Sequence, residues 1–247
     1  MHVIPLDGKG ATPEESFNGF REWGFLSEAV LNILALLGWN DGTDEELYTK
    51  EAMIQQFSLD RVSSSGARFN FQKAKWFNKQ YLAKLDNTAL VTLVRPSLAA
   101  HGVTASQEEL EKIAALLKVR LDYTVDFYAQ SNYFFESLDL DAVAEKNQKT
   151  FQNKVVKKWD APQKALLERL IEALQQVDSF DAANLEEALQ PIIGEQQGQV
   201  LPVFRLGLSG TMSGPGVYDM MAVLGQEKTV SRLQEFLIFC EKHHAEL

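Results

Sequence analysis

Residues 24–39 read Gly24-Phe25-Leu26-Ser27-Glu28-Ala29-Val30-Leu31-Asn32-Ile33-Leu34-Ala35-Leu36-Leu37-Gly38-Trp39. Leu26 to Leu37 predicts a helix with apolar side chains on most of its circumference, starting at Leu26 or Ser27 and stopped by Gly38. The same periodicity continues outward in both directions. Upstream, the first twenty residues carry no clear pattern and are the expected irregular region. Downstream, Thr49 opens a short helix towards Phe57, and Ser63-Ser64-Ser65-Gly66 reads as a loop. Asn70 to Leu82 predicts a helix given bulk by Trp76, Phe77 and Tyr81, read as core residues. Asp86 to Ala100 predicts another, kinked or broken at Arg95-Pro96. Thr104 or Ser106 caps the next, with Glu108, Glu109 and Glu111 near its positive end, and it runs to about Arg120.

Helices over Val125–Phe135, Ala161–Gln176, Asp181–Ile193, Gln199–Leu208, Val217–Leu224 and Glu227–His244 complete the pattern, with Gly194 and Gly225 as stops. Asp139 to Trp159 is polar and rich in Lys and Gln. Convincing strand patterns are few and no repeat of fixed period is found. The expected fold class is all-α, without a nucleotide-binding α/β domain.

The 247 residues are 45% apolar, enough for one large domain or two to three small ones. No apolar run reaches the roughly 18–20 residues that span a bilayer. No signal peptide is recognised at the start. The single cysteine, Cys240, cannot build a disulfide framework and reads as a packed helix residue. A cytoplasmic location follows as the expectation, with neither membrane nor DNA as partner.

The net charge of −10 argues on average against nucleic acid. The average conceals blocks. Arg61, Arg68, Lys73, Lys75, Lys79 and Lys84 form one basic island without an acid, and Lys146 to Lys158 holds five lysines without an acid. The stretch between them is acidic. Such blocks permit a polyanion to touch selected places on an acidic protein; equally, they describe solvated helix faces.

Signatures of catalysis are missing. His2, His101, His243 and His244 lie in no metal-binding spacing, and His243-His244 reads as a solvated helix end. Gly8-Lys9-Gly10 is too short for a phosphate loop. Acid pairs such as Glu14-Glu15 and Glu45-Glu46 have no partner base. A binding or scaffolding role is therefore expected.

Three segments resemble the bacterial glutamyl-tRNA synthetase family. Residues 24–39 resemble its GYLPEALLNYLALLGW helix. Ser63-Ser64-Ser65-Gly66-Ala67-Arg68-Phe69, followed by Lys73, Trp76, Asn78 and Tyr81, resembles the next family segment. Leu201-Pro202-Val203-Phe204-Arg205-Leu206-Gly207-Leu208-Ser209-Gly210, with Gly214-Pro215 and Leu224-Gly225, resembles a C-terminal one. They occur in the family's order and spacing and cover nearly the whole chain.

The family's class I catalytic domain carries a His-x-Gly-His type signature and a Lys-Met-Ser-Lys type loop, and neither occurs here. The segment matching Val3-Ile4-Pro5-Leu6 lies just after that loop in relatives. The resemblance therefore implies a C-terminal, tRNA-binding portion without catalytic domain, not an enzyme in itself, and needing no cofactor. The parent ligase would use ATP and magnesium. A monomer binding tRNA(Glu) is expected.

By the same resemblance, residues 1–84 form a stem-contact helical region, while 85–144 and 145–247 form two helical anticodon-binding subdomains. Arg68, Lys73, Lys75 and Lys79 are the candidates for tRNA backbone contacts, which position RNA without reading sequence. Lys73, Lys75 and Lys79 cannot all share one helix face. Arg205 is the foremost anticodon candidate: it is the only charge between Gln196 and Tyr218, and its planar fork suits a base edge or phosphate. A structural ion pair or helix cap is the rival reading. Gly214, Pro215, Val217 and Tyr218 resemble the loop that packs on the middle anticodon base, with Tyr218 suited to stacking. Arg120, with Lys118 beside it, resembles the arginine facing the third anticodon base, which implies discrimination between glutamate and glutamine tRNAs. From a different class, the residues also admit a helical protein–protein scaffold that does not bind RNA.

Overall fold

The structure is a computed structural model and describes residues 19–64, 66, 68–155 and 159–245. Val3 to Leu6, Gly8-Lys9-Gly10, Ser65, Ala67, Lys157 and Lys158 lie outside the described residues. Described secondary structure is helical throughout, with one isolated antiparallel bridge between Trp39 and Val62. The helices are α1 (Ser27–Leu36), α2 (Lys50–Gln56), α3 (Phe71–Lys84), α4 (Asn87–Ala100), α5 (Gln107–Leu117), α6 (Asp126–Phe135) and α7 (Leu140–Lys146). They continue with α8 (Gln148–Lys154), α9 (Ala161–Gln175), α10 (Ala182–Ile193), α11 (Gln197–Ser209), α12 (Val217–Leu224) and α13 (Gln226–Ala245). The all-α expectation holds among the described residues.

Local chemistry sets most helix starts. Thr49, Asn70, Asp86, Asp139, Asp160 and Asp181 each accept a backbone N–H of the first turn through a side-chain oxygen, which satisfies a donor with no intrahelical partner. Ser106 and Glu109 form a complete capping box on α5.

The helical pattern is refined at three places. The helix over Asn87–Ala100 runs through Pro96 without a break. Pro96 stands in the last turns, where one lost backbone bond is offset by the buried Leu90, Val91, Val94 and Leu98. Asp139 to Trp159 contains two helices, α7 and α8, which meet at Asn147. Trp76 is 42% exposed and touches Phe77 edge-on, whereas Phe77 is fully buried. Two residues on adjacent helix positions face different ways, so bulk alone does not assign core.

The chain forms two compact units, residues 1–130 and 131–247, divided within α6. In the first, Phe20, Phe25, Ile33, Ala74 and Phe77 make a core of edge-on aromatic contacts. Two asparagines with no exposure tie it together. Asn32 Nδ2 donates to Glu46 O and its Oδ1 accepts from Tyr48 N, both at 2.8 Å. Asn78 Oδ1 accepts from Leu26 N at 2.8 Å, while Nδ2 donates to Asp122 O at 2.7 Å. Gly24 adopts φ +80°, and an added Cβ would lie 2.9 Å from the backbone N of Thr124. Only glycine allows that approach, which the Thr124 N–H uses to donate to Gly24 O at 3.0 Å.

In the second unit, α9 packs on α10 and α13, and α11 packs on α13. Leu170, Leu174, Leu185, Leu189, Leu208 and Leu233 are fully buried. Gly207 allows the close approach of α11 to α13: a Cβ there would sit 2.7 Å from the Phe236 ring. His243, expected as a solvated helix end, instead packs on Phe239 with ring centroids 4.2 Å apart, 3.8 Å from Asp141. One helical turn earlier, Cys240 has no exposure, and burial pushes its thiol up to about 12. The thiolate is the reactive form. Folded protein at pH 8 is therefore expected to resist a thiol reagent such as 5,5′-dithiobis(2-nitrobenzoate) until denaturant is added. Stoichiometric labelling within minutes under native conditions would contradict this burial.

Candidate functional site

The second unit brings the C-terminal candidates together around the end of α11. Phe204, Leu206, Gly207 and Leu208 of this helix are buried, which leaves Arg205 half-buried at its edge. The helix ends at Gly210 in the left-handed region, φ +68°, and a Cβ there would collide with Val143 and Leu138. The chain then turns back on itself, with Thr211 Oγ1 donating to Ser213 O at 2.7 Å. The turn carries Gly214 against Arg205: a Cβ at 214 would stand 2.9 Å from Arg205 Nη1. The guanidinium thus lies close over the turn's backbone, at a place no larger residue allows unless the side chain moves.

Pro215 and Val217 are buried and anchor the turn. Gly216 precedes α12, and Asp219 folds back against it from the first turn, where the helix dipole favours a carboxylate. Tyr218 is half-buried on α12, and its hydroxyl has no hydrogen-bond partner within the protein. Burial first, and the charge of Glu186 second, push its phenol above the ordinary tyrosine range. The phenol stays protonated and remains a donor. A forked cation, a phenol O–H and a close-approach backbone suit the edge of a planar heterocycle or a phosphate.

In the first unit, Arg120 is exposed on the turn that follows α5. Its neighbour Lys118 caps α5 and donates Nζ to Leu85 O at 3.1 Å, at the junction of α3 and α4. Lys118 thus has a structural task and Arg120 the more accessible charge. Arg68 is exposed beside a cleft of 260 Å³ lined in part by Asn70, Lys73 and Phe77.

The lysines of α3 divide between two acids. Lys73 pairs with Glu46, and its ammonium lies 5.8 Å from the Phe77 ring centre. Lys75 and Lys79, one turn apart, reach Asp122 at 2.8 and 3.6 Å. The hydrogen bond to Asp122, and then its charge, hold Lys75 above the ordinary lysine range. This face separates Lys73 from the other two, as helical spacing requires.

Sequence reasoning missed Asp122 and left the Glu45-Glu46 pair without a partner base, whereas Glu46 pairs with Lys73. Neither lies inside the basic island, and no local pattern marks them as its partners. Exposed pairs of this kind contribute only about 0–1 kcal/mol each, so a phosphate can displace the carboxylate at modest cost.

Glutamate–tRNA ligase of Flavobacterium johnsoniae is 36% identical over 236 residues, covering 94% of this chain and 45% of that protein. The ligase of Phocaeicola vulgatus is 36% identical over 237 residues, again 94% and 45%. A crystal structure of the Elizabethkingia meningosepticum glutamate tRNA ligase in complex with its amino acid matches with a TM-score of 0.80. It is 32% identical and covers 96% of this chain and 46% of that one. The Elizabethkingia anophelis glutamate-tRNA synthetase matches with a TM-score of 0.75 at 33% identity, covering 95% and 45%. The chain spans about half the length of these relatives.

The family model of the class I (E and Q) tRNA synthetase catalytic domain matches residues 14–76. This corrects the expectation that the catalytic domain is absent. That expectation rested on missing loop signatures, which report only on the nucleotide-binding chemistry. The helical segment from α1 into α3 belongs to the catalytic-domain match although it carries no such loop. The anticodon binding domain model matches residues 89–237, more than half of the chain. The chain therefore belongs to the anticodon-binding domain family, as a relative of the bacterial glutamate–tRNA ligases.

Proposed function

We propose that this chain recognises tRNA(Glu), reading its anticodon with residues 85–247 and touching its backbone with residues 1–84. The observation that carries the reading is the closure of Arg205 over the Gly214 backbone, in a turn that leads into α12 and its Tyr218, whose hydroxyl has no hydrogen-bond partner within the protein. Anticodon-loop bases are unstacked and offer edges and faces to such groups. Arg205, Tyr218 and the Gly214–Val217 backbone make the base-reading surface in this proposal. Arg120 adds a second contact, with Lys118 holding its turn. Arg68 takes a backbone phosphate directly, and Lys73, Lys75 and Lys79 do so once Glu46 and Asp122 release them. The functional division proposed is 1–84, 85–144 and 145–247. The relatives' names and the anticodon-binding match support the proposal.

Titrating the protein with tRNA(Glu) and with an anticodon-swapped tRNA across a salt series tests it. Arg205→Ala is expected to weaken tRNA(Glu) by about 1–3 kcal/mol, the usual loss for a base-reading arginine, and to leave the swapped tRNA little changed. An unaltered affinity for tRNA(Glu) removes Arg205 from the site. The pairing of Lys75 and Lys79 with Asp122 favours a second reading, a protein scaffold that leaves RNA alone. That reading requires no salt-dependent RNA binding at all.

A further inference from the structure

The second basic island, Lys146 to Lys158, has no part in the function proposed above. Residues 131–247 hold seventeen acids and eleven bases, so an RNA strand that reaches Arg205 meets an acidic unit. Three of the eleven bases are engaged inside the protein: Lys164 with Glu241, and Lys228 and Arg232 with backbone carbonyls. Five more stand within residues 146–158, where there is no acid. The fold sets this island beside the Arg205 turn. Lys146 ends α7, and Lys149 and Lys154 belong to α8. α7 lies against the end of α11: a Cβ at Gly210 would stand 2.6 Å from Val143 Cγ2, and Asn147 Nδ2 donates to Gly210 O at 3.5 Å. Gly210 is where α11, which carries Arg205, gives way to the turn with Gly214. Phe151 of α8 is buried against Phe239 of α13, ring centroids 5.4 Å apart. That packing brings the last turn of α13, with Lys242, to the same end of the unit. Lys146 and Lys242 are exposed and have no acid partner among the described residues. Most acids around them have other partners. Asp139 and Asp160 cap α7 and α9, Asp141 stands 3.8 Å from His243, and Glu241 pairs with Lys164. Glu145 is the remaining carboxylate of α7 and is exposed.

We propose that Lys146, Lys149, Lys154 and Lys242 form an RNA-backbone surface that sets the register of the strand read at Arg205. This surface presupposes the anticodon reading proposed above and extends it to the neighbouring phosphates. A lone Arg205, with the Asp219 carboxylate close to the same turn, does not hold a polyphosphate chain on an acidic unit. Phosphate contacts beside a base-reading group fix orientation and register without reading sequence. Solvated helix faces, the other reading of such a block, need no placement beside the turn.

The test titrates the 247-residue chain with tRNA(Glu), with an anticodon-swapped tRNA and with the isolated anticodon stem-loop of tRNA(Glu), across a salt series. Joint substitution of Lys146→Gln, Lys149→Gln and Lys154→Gln is expected to weaken all three about tenfold at about 0.1 M salt and to lower the salt slope by about two. The arginine triple, Lys146→Arg, Lys149→Arg and Lys154→Arg, keeps the charge and is expected to bind as the parent does, which separates lost charge from lost fold. Parent-like affinities of the glutamine triple, where Arg205→Ala still weakens tRNA(Glu), overturn the surface and leave the anticodon reading standing. Loss confined to tRNA(Glu) also overturns it, because phosphate contacts weaken every sequence alike. So does a loss seen with both whole tRNAs but not with the stem-loop, which moves the lysines away from the anticodon. A parent chain that binds none of the three RNAs removes the anticodon reading and this surface together.

Discussion

Arg232→Met is expected to cost about 3–4 kcal/mol of folding stability, judged from the value of hydrogen bonds to charged groups and the penalty for leaving acceptors dry. Arg232 lies on α13 with 5% exposure. Its Nη1 donates to Leu208 O at 2.5 Å, and its Nη2 donates to Tyr133 O and Glu136 O at 2.7 Å each. Those carbonyls belong to the C-terminal ends of α11 and α6, where the helix itself provides no donor. Burial lowers the guanidinium pKa from its usual value, but arginine remains charged at any pH the protein survives. Lys228 strengthens the same junction by donating Nζ to Phe134 O at 2.8 Å.

Methionine fills the stem's volume and supplies no donor, so three carbonyls lose their partner together. Arg232→Lys is expected to fall between the two, since an ammonium cannot reproduce the planar fork. Urea unfolding followed by a probe in the second unit, with the slope of the transition checked against the parent, measures the loss. A cost below about 1 kcal/mol would mean that water reaches these carbonyls.

Asn78→Leu is expected to cost about 2–4 kcal/mol in the first unit, because a near-isosteric side chain leaves a buried donor and a buried acceptor unpaired. Asn78 is fully buried on α3. It accepts from Leu26 N at the start of α1, where Leu26 has no capping side chain of its own. It also donates to Asp122 O at 2.7 Å and Gly24 O at 3.3 Å. One amide therefore joins three chain segments, and one of them presents the carboxylate that holds Lys75 and Lys79. Thermal unfolding of the first unit, with hydrogen exchange at residues 118–126, checks both consequences. Faster exchange there is the expected companion of the lower melting temperature. A stable variant with unchanged exchange would show that the Thr124–Gly24 backbone bond is sufficient to hold the segment.

The candidate site was legible to different depths. Arg205 stands out in the sequence as a lone charge in an apolar stretch, and the glycines and proline after it mark a turn. Their adjacency in space is a tertiary fact: Gly214 meets Nη1 because α11 stops at Gly210 and the chain doubles back. The basic island read quite differently in three dimensions. Its lysines looked unopposed along the chain, but Glu46 and Asp122 approach from other segments. The reading of missing loop signatures as a missing catalytic domain was over-extended to the helical segment that the catalytic-domain model matches.

Sequence by itself determined where the helices begin and what they are. Capping is a contact over two or three residues, so Thr49, Asn70, Ser106 and Asp181 announce it locally, and Gly194 and Gly225 stop helices for equally local reasons. Tertiary structure alone decided which polar groups are buried and with whom. Asn32, Asn78 and Arg232 sit in helical stretches whose periodicity gives them no special mark. Their partners lie 14 to 99 residues away along the chain. A long-range hydrogen bond depends on how helices pack, and packing is a property of the whole core rather than of any window of sequence.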